Sequence, residues 1–205
     1  MAKLNIAPTK SSLLSLKKQL LFAEEGYDLL EQKRQILIFE LMSRLKRAGE
    51  AEAKVAKAFK CAFAALQEAT LDIGSDALNR ATLGVSMDHQ VTLGDQHLMG
   101  MKIPRVTVRA EPPSAQFGVG GTSANTDLAM RQFVELLPLL GELAELENAV
   151  LRLARELRKT QRRCNALSKI FIPDYRETIG YITGALEERE RESFVILKMI
   201  RNRLA

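Results

Sequence analysis

Apolar residues recur every seven positions in the first third of the chain. Two rows with this spacing run from Leu13 to Ala69 and from Leu16 to Ala65, and 15 of their 17 positions are apolar or Tyr. Such a double row is typical of a coiled-coil seam and predicts one helix over residues 12–70, roughly 90 Å long. Leu dominates the early part of both rows and Ala the later part, so we expect the later part to pack more closely or to meet a third element.

A second stretch with the same spacing lies near the other end of the sequence. Its apolar positions run over 143–171 and resume after Pro173, shifted by one residue, over 179–200. An interior proline removes one backbone hydrogen bond and clashes with the preceding turn, so we expect a bend at Pro173 and a kink or short break at Pro138. The two stretches can bury their seams against each other as an antiparallel pair of helices, which predicts a rod.

Turn-forming residues are concentrated between the two stretches. Six of the 12 Gly and three of the 6 Pro fall within residues 84–126. The β-branched segments 91–93 and 103–108, bounded by Gly and Pro, predict a β-hairpin that caps the end of the rod. The Gly/Ser/Thr/Asn-rich end of this region predicts a loop, with Asn125 or Thr126 capping the second long helix.

These patterns divide the chain into three parts. We expect an N-terminal long helix in residues 1–78, a central hairpin and loop region in 79–126, and a C-terminal long helix in 127–205. The predicted fold class is mainly α, a long antiparallel two-helix coiled coil with a short β-hairpin and loop region in the middle. The composition agrees, because Leu, Ala, Glu, Lys and Arg make up 103 of the 205 residues and aromatic residues only 5%, which does not favour a large compact core.

The net charge of +5 and the pI of about 9.3 narrow the class of partner only slightly. A basic protein can bind nucleic acid, an anionic membrane surface or an acidic protein. The two cysteines, Cys61 and Cys164, form no CxxC pair and indicate a reducing compartment. The sequence has no apolar run of 18 residues and no secretory signal pattern. We therefore expect a cytoplasmic protein that meets a membrane only through a partner.

Few residues offer catalytic or ligand-binding chemistry. His89 beside Asp88, and His97 near Asp95, suggest metal ligands, but they fall on a short hairpin with no Cys or Glu at ligand spacing, and exposed turn residues are the simpler interpretation. Residues 118–121 loosely resemble a phosphate loop, yet the Lys and Ser or Thr that should follow are missing. No Ser/His/Asp set has a scaffold to hold it. We expect a non-enzyme with no catalytic, cofactor-binding or metal-binding residues and no cofactor.

Two charged segments lie in the C-terminal stretch. Four basic residues follow one helical face at spacings of three and four, namely Arg152, Arg155, Lys159 and Arg162. This face is either simply solvated or directed at an acidic partner surface; nucleic acid is the weaker interpretation, because no aromatic residues interleave for stacking. The alternating acidic and basic run 187–192 predicts an exposed helix supported by pairs four residues apart.

Arg34 is the only charged residue on the row that begins at Leu13. If Leu13 lies near Arg201, the numbers of facing residues add up to roughly 205–215, which places Arg34 near Asp174 and Glu177. A charge on a seam costs stability unless it is paired or reaches water. We expect Arg34 to pair with one of these acids, or else to extend along the seam edge into solvent.

Several sequence blocks follow one another along nearly the whole chain. They are Ala-Pro-Thr-Lys at 7–10, Gly-Tyr-Asp-Leu-Leu at 26–30, Met-Gly-Met-Lys-Ile-Pro at 99–104, Leu-Ala-Glu-Leu-Glu at 143–147, Lys-Thr-Gln-Arg-Arg-Cys-Asn-Ala-Leu at 159–167, Ile-Pro at 172–173 and Leu-Glu-Glu-Arg-Glu at 186–190. In this order they resemble the D subunit of V-type (vacuolar/archaeal-type) ATPases, and the run 160–167 is the most specific. Glu31 stands where that family usually carries a base, and Cys164 where an aliphatic residue is usual; neither departure removes a catalytic group.

This resemblance implies the central rotor stalk of an ATPase or ATP synthase. The paired termini would insert into the ring of alternating catalytic and regulatory head subunits, and the hairpin end would point toward the membrane rotor. The small F subunit of the rotor would bind the shaft, and a funnel-shaped subunit would link it to the proteolipid ring. Torque would pass between transport of hydrogen or sodium ions and ATP synthesis or hydrolysis on the partner subunits.

Two other functions remain open at this point. A non-rotary coiled-coil scaffold or tethering protein has the same heptads, but it does not account for the blocks at 99–104 and 159–167. A nucleic-acid-binding coiled coil is supported only by the net charge.

Overall fold

The computed structural model describes residues 6–85, 89–110, 118 and 120–204. It is 81% helical, with a long helix at each end of the sequence and a two-stranded antiparallel hairpin between them, which confirms the predicted fold class. In chain order the elements are α1 Lys10–Ile73, α2 Ser75–Thr82, β1 Gln90–Leu98, β2 Met101–Arg109, α3 Ala124–Ala166, a π-helical turn Leu167–Phe171, and α4 Ile172–Leu204. None of the helices in the described part combines the length and apolarity that crossing a bilayer requires.

α1 is one helix of 64 residues, as the double row predicted. It begins after Thr9, whose Oγ1 accepts a hydrogen bond from the Ser12 N–H at 3.1 Å and satisfies one free amide of the first turn. It ends at Ile73, just before Gly74, whose φ of 80° lies in the left-handed region that favours glycine.

The buried side chains of α1 all lie on the two predicted rows. Early in the helix only the row that begins at Leu16 is buried, and both rows are buried from Ala51 onward. The set comprises Leu16, Ala23, Leu37, Ala51, Val55, Ala62, Ala65 and Ala69. Beside this Ala-rich part, Phe63 meets Phe133 of α3 edge to face, with ring centroids 5.6 Å apart.

The β-hairpin is longer than the two β-branched segments that predicted it. β1 and β2 pair antiparallel in continuous register over nine residue pairs. Met99 and Gly100 form the turn with φ values of 50° and 79°, and two successive positive values are what two-residue hairpin turns prefer. The hairpin prediction is therefore confirmed.

α3 begins earlier than the predicted cap positions. Its first residue is Ala124, and the N–H of the preceding Ser123 donates to Thr126 Oγ1 at 3.3 Å, one half of a capping box. Asn125 and Thr126 lie inside the first turn, so the prediction that one of them caps the helix was wrong. Asn125 instead donates a hydrogen bond to Asp72 of α1 at 2.8 Å.

α3 continues without interruption through Pro138. The expectation of a short break at this residue was therefore wrong. The proline still removes one backbone hydrogen bond, and the kink stays a prediction.

A π-helical turn joins α3 to α4. It covers Leu167–Phe171, and Pro173 then stands in the first turn of α4. A π-helical turn adds one residue to an otherwise α-helical segment. This accounts for the one-residue shift in the apolar spacing, which occurs just before Pro173 rather than after it.

The chain forms two compact units. One contains the chain up to Ile38 together with the chain from Glu156 onward, and the other contains Phe39–Arg155. In the first unit the start of α1 lies antiparallel to α4 and to the end of α3. The second unit contains the rest of α1 and α3 with α2 and the hairpin. The three-part division made from the sequence stays a prediction.

Ion pairs in the first unit fix the register between α1 and α4. Lys10 pairs with Glu190 at 3.0 Å and Glu24 with Arg176 at 2.6 Å, so facing residue numbers add up to 200 in both cases. The predicted register of roughly 205–215 was therefore wrong. It assumed that the two helices end together, whereas α4 extends well past the residue that faces Lys10.

Candidate partner-binding surfaces

Among the described residues, no three His, Cys, Asp or Glu side chains lie close enough to share a metal ion. His97 and Asp95 are exposed on β1, and His89 precedes that strand. Asp88 and Val119 lie outside the described residues. Gly118, Gly120 and Gly121 are exposed in the segment before α3.

The end of α4 exposes apolar side chains on every side of the helix. All residues from 187 to 204 are exposed. Successive helix positions are roughly 100° apart, so the apolar residues among them point in all directions. We call residues 194–204 the C-terminal apolar segment, and its exposed apolar members are Phe194, Val195, Ile196, Leu197, Met199, Ile200 and Leu204.

Two residues of this segment, Ile196 and Ile200, were predicted to lie on the seam. That prediction was wrong, because the first residue of α1, Lys10, already faces Glu190 and no later part of α4 has α1 beside it. The run 187–192 is exposed as predicted, and Arg191 pairs with Glu187 at 3.9 Å and with Glu188 at 3.5 Å. Exposed apolar side chains on every side of a helix favour a partner that encloses it.

α1 carries a second exposed apolar surface within the first unit. Its members recur at spacings of seven or eight residues and include Leu14, Leu21, Leu29 and Ile36. Next to them, Phe22 and Leu29 line an open cleft whose other wall contains Phe171 and Tyr175. Phe171 was predicted to lie on the seam but is 47% exposed, because the π-helical turn changes the helical phase at this residue.

The predicted basic face of α3 is exposed. All four of its members, Arg152, Arg155, Lys159 and Arg162, are exposed. Arg152 donates a hydrogen bond to the main-chain carbonyl of Lys102 in β2 and so contacts the hairpin. The other three form no ion pair with any residue that the structure describes.

Arg34 lies in a polar layer on the seam, away from the two acids predicted to pair with it. Its guanidinium donates to the Glu31 carboxylate one turn earlier in α1 and to Gln161 Oε1 of α3 at 2.8 Å. The pairing with Asp174 or Glu177 was wrong, because the true register places Gln161 at this level. The hydrogen bond from Arg34 to the Glu31 carboxylate raises the pKa of Arg34, which keeps the guanidinium charged.

The two cysteines differ in exposure and environment. Cys61 is exposed and Cys164 is buried, and both thiols are free. Burial raises the pKa of the Cys164 thiol, and the nearby Glu31 carboxylate raises it further, because both disfavour a thiolate. Cys164 therefore acts as a small neutral core residue beside the Arg34 layer.

β2 is held against α3 by hydrogen bonds and by one close approach. The Val106 N–H donates to Glu145 Oε2 at 2.9 Å, and Arg152 bonds the same strand nearer the turn. A Cβ on Gly141 would lie 2.5 Å from Val108 Cγ2, so only glycine fits without a shift. Gly141, Glu145 and Arg152 are four and seven residues apart and share one helical face, but no pattern in the sequence connects that face with the hairpin.

Comparison with known proteins gives one consistent family. Residues 12–202 match the family described as the D subunit of ATP synthase. The second V-type ATP synthase D subunit of Treponema pallidum is 41% identical over 98% of this chain and 96% of its own length. The A-type ATP synthase D subunit of Methanosphaera stadtmanae is 38% identical over 97% of this chain and 94% of its own. The V-type ATP synthase D subunit of Thermotoga neapolitana is 34% identical over 98% of this chain and 100% of its own.

Proposed function

Because the chain belongs to the family of ATP synthase D subunits, we propose that it is the central rotor axle of an A/V-type ATP synthase. In this role it transmits torque between the catalytic head and the membrane rotor, and it catalyses no reaction itself. ATP synthesis or hydrolysis takes place on partner subunits. The protein is peripheral to the membrane, on the cytoplasmic side, as part of the complex.

The C-terminal apolar segment is the observation that supports this proposal most directly. A helix with exposed apolar side chains on all sides is better covered by a partner that surrounds it than by a groove along one side. A ring of catalytic and regulatory head subunits provides such a partner. Apolar contacts are non-directional, so a smooth apolar socket holds the helix end at every angle of rotation.

The remaining surfaces suit the other partners of an axle. The small F subunit of the rotor and the funnel-shaped subunit that leads to the proteolipid ring are proposed to bind the second unit and its hairpin. The exposed bases Arg155, Lys159 and Arg162, which pair with no described acid, suit acidic residues of the head, because exposed ion pairs are weak enough to be exchanged during rotation.

A single-molecule experiment tests the axle role. A Lys102→Cys substitution in a Cys61→Ser background places one reactive thiol beside the exposed hairpin turn, since Cys164 is buried. The full chain is assembled with head subunits that are fixed to a surface, and a bead is attached to this thiol. ATP is expected to drive rotation in one direction. The purified chain alone is expected not to hydrolyse ATP.

Two controls separate the axle from a scaffold. The Cys61→Ser chain without the new thiol should bind no bead. A non-rotary scaffold or tether predicts a complex that assembles and hydrolyses ATP while the bead stays still, and that result would overturn the proposal. Failure to assemble with the head at all would overturn it as well.

A further inference from the structure

The two outer edges of the β-hairpin differ in what covers them. In an antiparallel pair, successive residues point their N–H and C=O alternately toward and away from the partner strand. Since the Val106 N–H donates to Glu145 on α3, Val106 points away from β1. The register then places Leu93, opposite Val106, with its own N–H and C=O pointing away from β2. Val91, Asp95 and His97 share that orientation.

The outer edge of β2 is closed. The outward Val106 N–H is taken by Glu145, and the outward Lys102 carbonyl is taken by Arg152. Pro104 has no N–H to present at this edge. These are devices by which proteins prevent a further strand from adding to a sheet.

No described residue covers the outer edge of β1. Within the described residues, no hydrogen bond is made by the outward N–H or C=O of Val91, Leu93, Asp95 or His97. β1 contains no Pro, Lys or Arg, and its continuous pairing shows no bulge. Val91 is 60% and Leu93 75% exposed, so the strand offers free backbone groups together with an unfilled apolar face.

The opposite face of the hairpin is basic. Arg105 pairs with Gly94, and Arg109 with Gln90, and both arginines are exposed without an ion pair to any described residue. Gly94 has no side chain, which leaves the space between Arg105 and the β1 edge open. A strand added to β1 would lie about 10 Å from β2, a distance that Arg and Glu side chains span together across Gly94.

We propose that the outer edge of β1 is a strand-addition site for an extended segment of another subunit of the ATP synthase. That segment alternates apolar residues, which extend the Val91 and Leu93 face, with acidic residues, which face Arg105 and Arg109. Main-chain hydrogen bonds to the four outward residues of β1 supply affinity, and the alternating side chains supply specificity. The choice of partner rests on the proposed function, whereas the open edge does not.

Hydrogen exchange resolved to single amides tests this proposal on the full chain, alone and in the complex assembled with its own ATP synthase subunits. The inward amides of β1 should be protected in both states. The outward amides of Val91, Leu93, Asp95 and His97 should exchange at least tenfold more slowly in the complex. If the complex assembles and the exchange rates of the outward amides stay the same, strand addition is refuted while the proposed function stands. Failure to assemble would count against the proposed function.

Variants separate strand addition from ordinary side-chain docking. Leu93→Pro removes an outward N–H that makes no bond to β2, so the hairpin should persist while partner affinity falls at least tenfold. Leu93→Ala keeps the N–H and should lose clearly less affinity than Leu93→Pro. Equal losses for both variants would show that only the side chain matters and would overturn the proposal.

A charge reversal gives a second, independent measurement if Leu93→Pro fails to fold. Arg105→Glu should lower the affinity for the partner several-fold, and the same charge change at the exposed Lys60 of α1 should not lower it. Equal effects at the two sites would overturn the acidic assignment. Sedimentation of the free chain tests whether a second copy of the chain binds the β1 edge instead. A dimer that forms with the unchanged chain and is lost in Leu93→Pro would show this and would overturn the proposal.

Discussion

Arg34 shows how a single polar residue can define the register of two long helices. Heptad rows repeat every seven residues, so a pair of such rows fits almost as well after a shift of one heptad. Gln161 is the residue of α3 that accepts a hydrogen bond from Arg34, and the side chain of Arg34 is 29% exposed. A shift of one heptad would place the shorter side chain of Ala154 or Ser168 at this level, and a partly buried guanidinium that loses its partner is costly.

We predict measurable coupling between Arg34 and Gln161. In a double-mutant cycle with Arg34→Ala and Gln161→Ala, the coupling free energy of unfolding should be favourable and clearly above experimental error, because the cycle isolates a hydrogen bond to a charged group. The matched cycle of Arg34→Ala with Asp174→Ala should give a value within error of zero. Coupling to Asp174 instead of Gln161 would mean that the register described for the first unit is incorrect.

The two cysteines provide a second prediction at this scale. Cys61 should react with a maleimide in the native protein at pH 7–8, and Cys164 should not, because burial and a raised pKa both disfavour its thiolate. Mass spectrometry should show one label on the native chain, two after denaturation, and none on native Cys61→Ser. Rapid native labelling of Cys61→Ser would contradict the burial of Cys164.

Among the elements, the helices were predicted more successfully than their ends and contacts. The rows of α1 correctly identified all its buried residues because the 3.5-residue repeat directly records which face is covered. The register was missed because the rows are self-similar. The hydrogen bond that anchors β2 to Glu145 was missed because it joins elements that are far apart in sequence and produces no repeating pattern of residues. A one-residue phase shift before α4 was visible, but only the structure identifies it as a π-helical turn.

The contact between α3 and the hairpin yields a prediction about Gly141. Gly141→Ala places a methyl group 2.5 Å from Val108 Cγ2, and Val is stiff at χ1. The clash should exceed the gain in helix propensity and lower the free energy of unfolding by about 1–2 kcal/mol. Chemical denaturation measures this, and adding Val108→Ala to Gly141→Ala should restore part of the loss.

Gly184 in α4 is the matched control for Gly141. A Cβ at Gly184 meets nothing within 4 Å, so Gly184→Ala should raise the free energy of unfolding by about 0.5–1 kcal/mol. If Gly141→Ala also stabilised the protein, the close packing of β2 on α3 would be contradicted.

For the whole molecule, the burial of apolar side chains distinguishes the surfaces that stabilise the fold from those that bind partners. The long seams supply the fold of each unit, while large exposed apolar side chains are concentrated on α1 and at the end of α4. Such surfaces on a free chain are expected where a partner covers them in the assembly. Their occupant could not be predicted from periodicity, because the heptad pattern predicted part of this surface, including Ile196 and Ile200, to lie inside the seam.

The C-terminal apolar segment should therefore contribute to assembly and little to folding. Ile196→Ser combined with Ile200→Ser removes two apolar side chains that are 55% and 49% exposed in the free chain. Thermal unfolding of the free chain should change by less than about 2 °C, since exposed substitutions have small effects. Each isoleucine that becomes buried in the head contributes about 1.5–3 kcal/mol, so affinity for the head should fall by at least a hundredfold.

Arg201→Gln and Asn202→Ala, exposed polar changes on the same helix, should preserve most of that affinity. A double serine variant that binds the head normally would contradict an apolar socket around α4, and one that unfolds at a much lower temperature would mean that this segment packs within the chain.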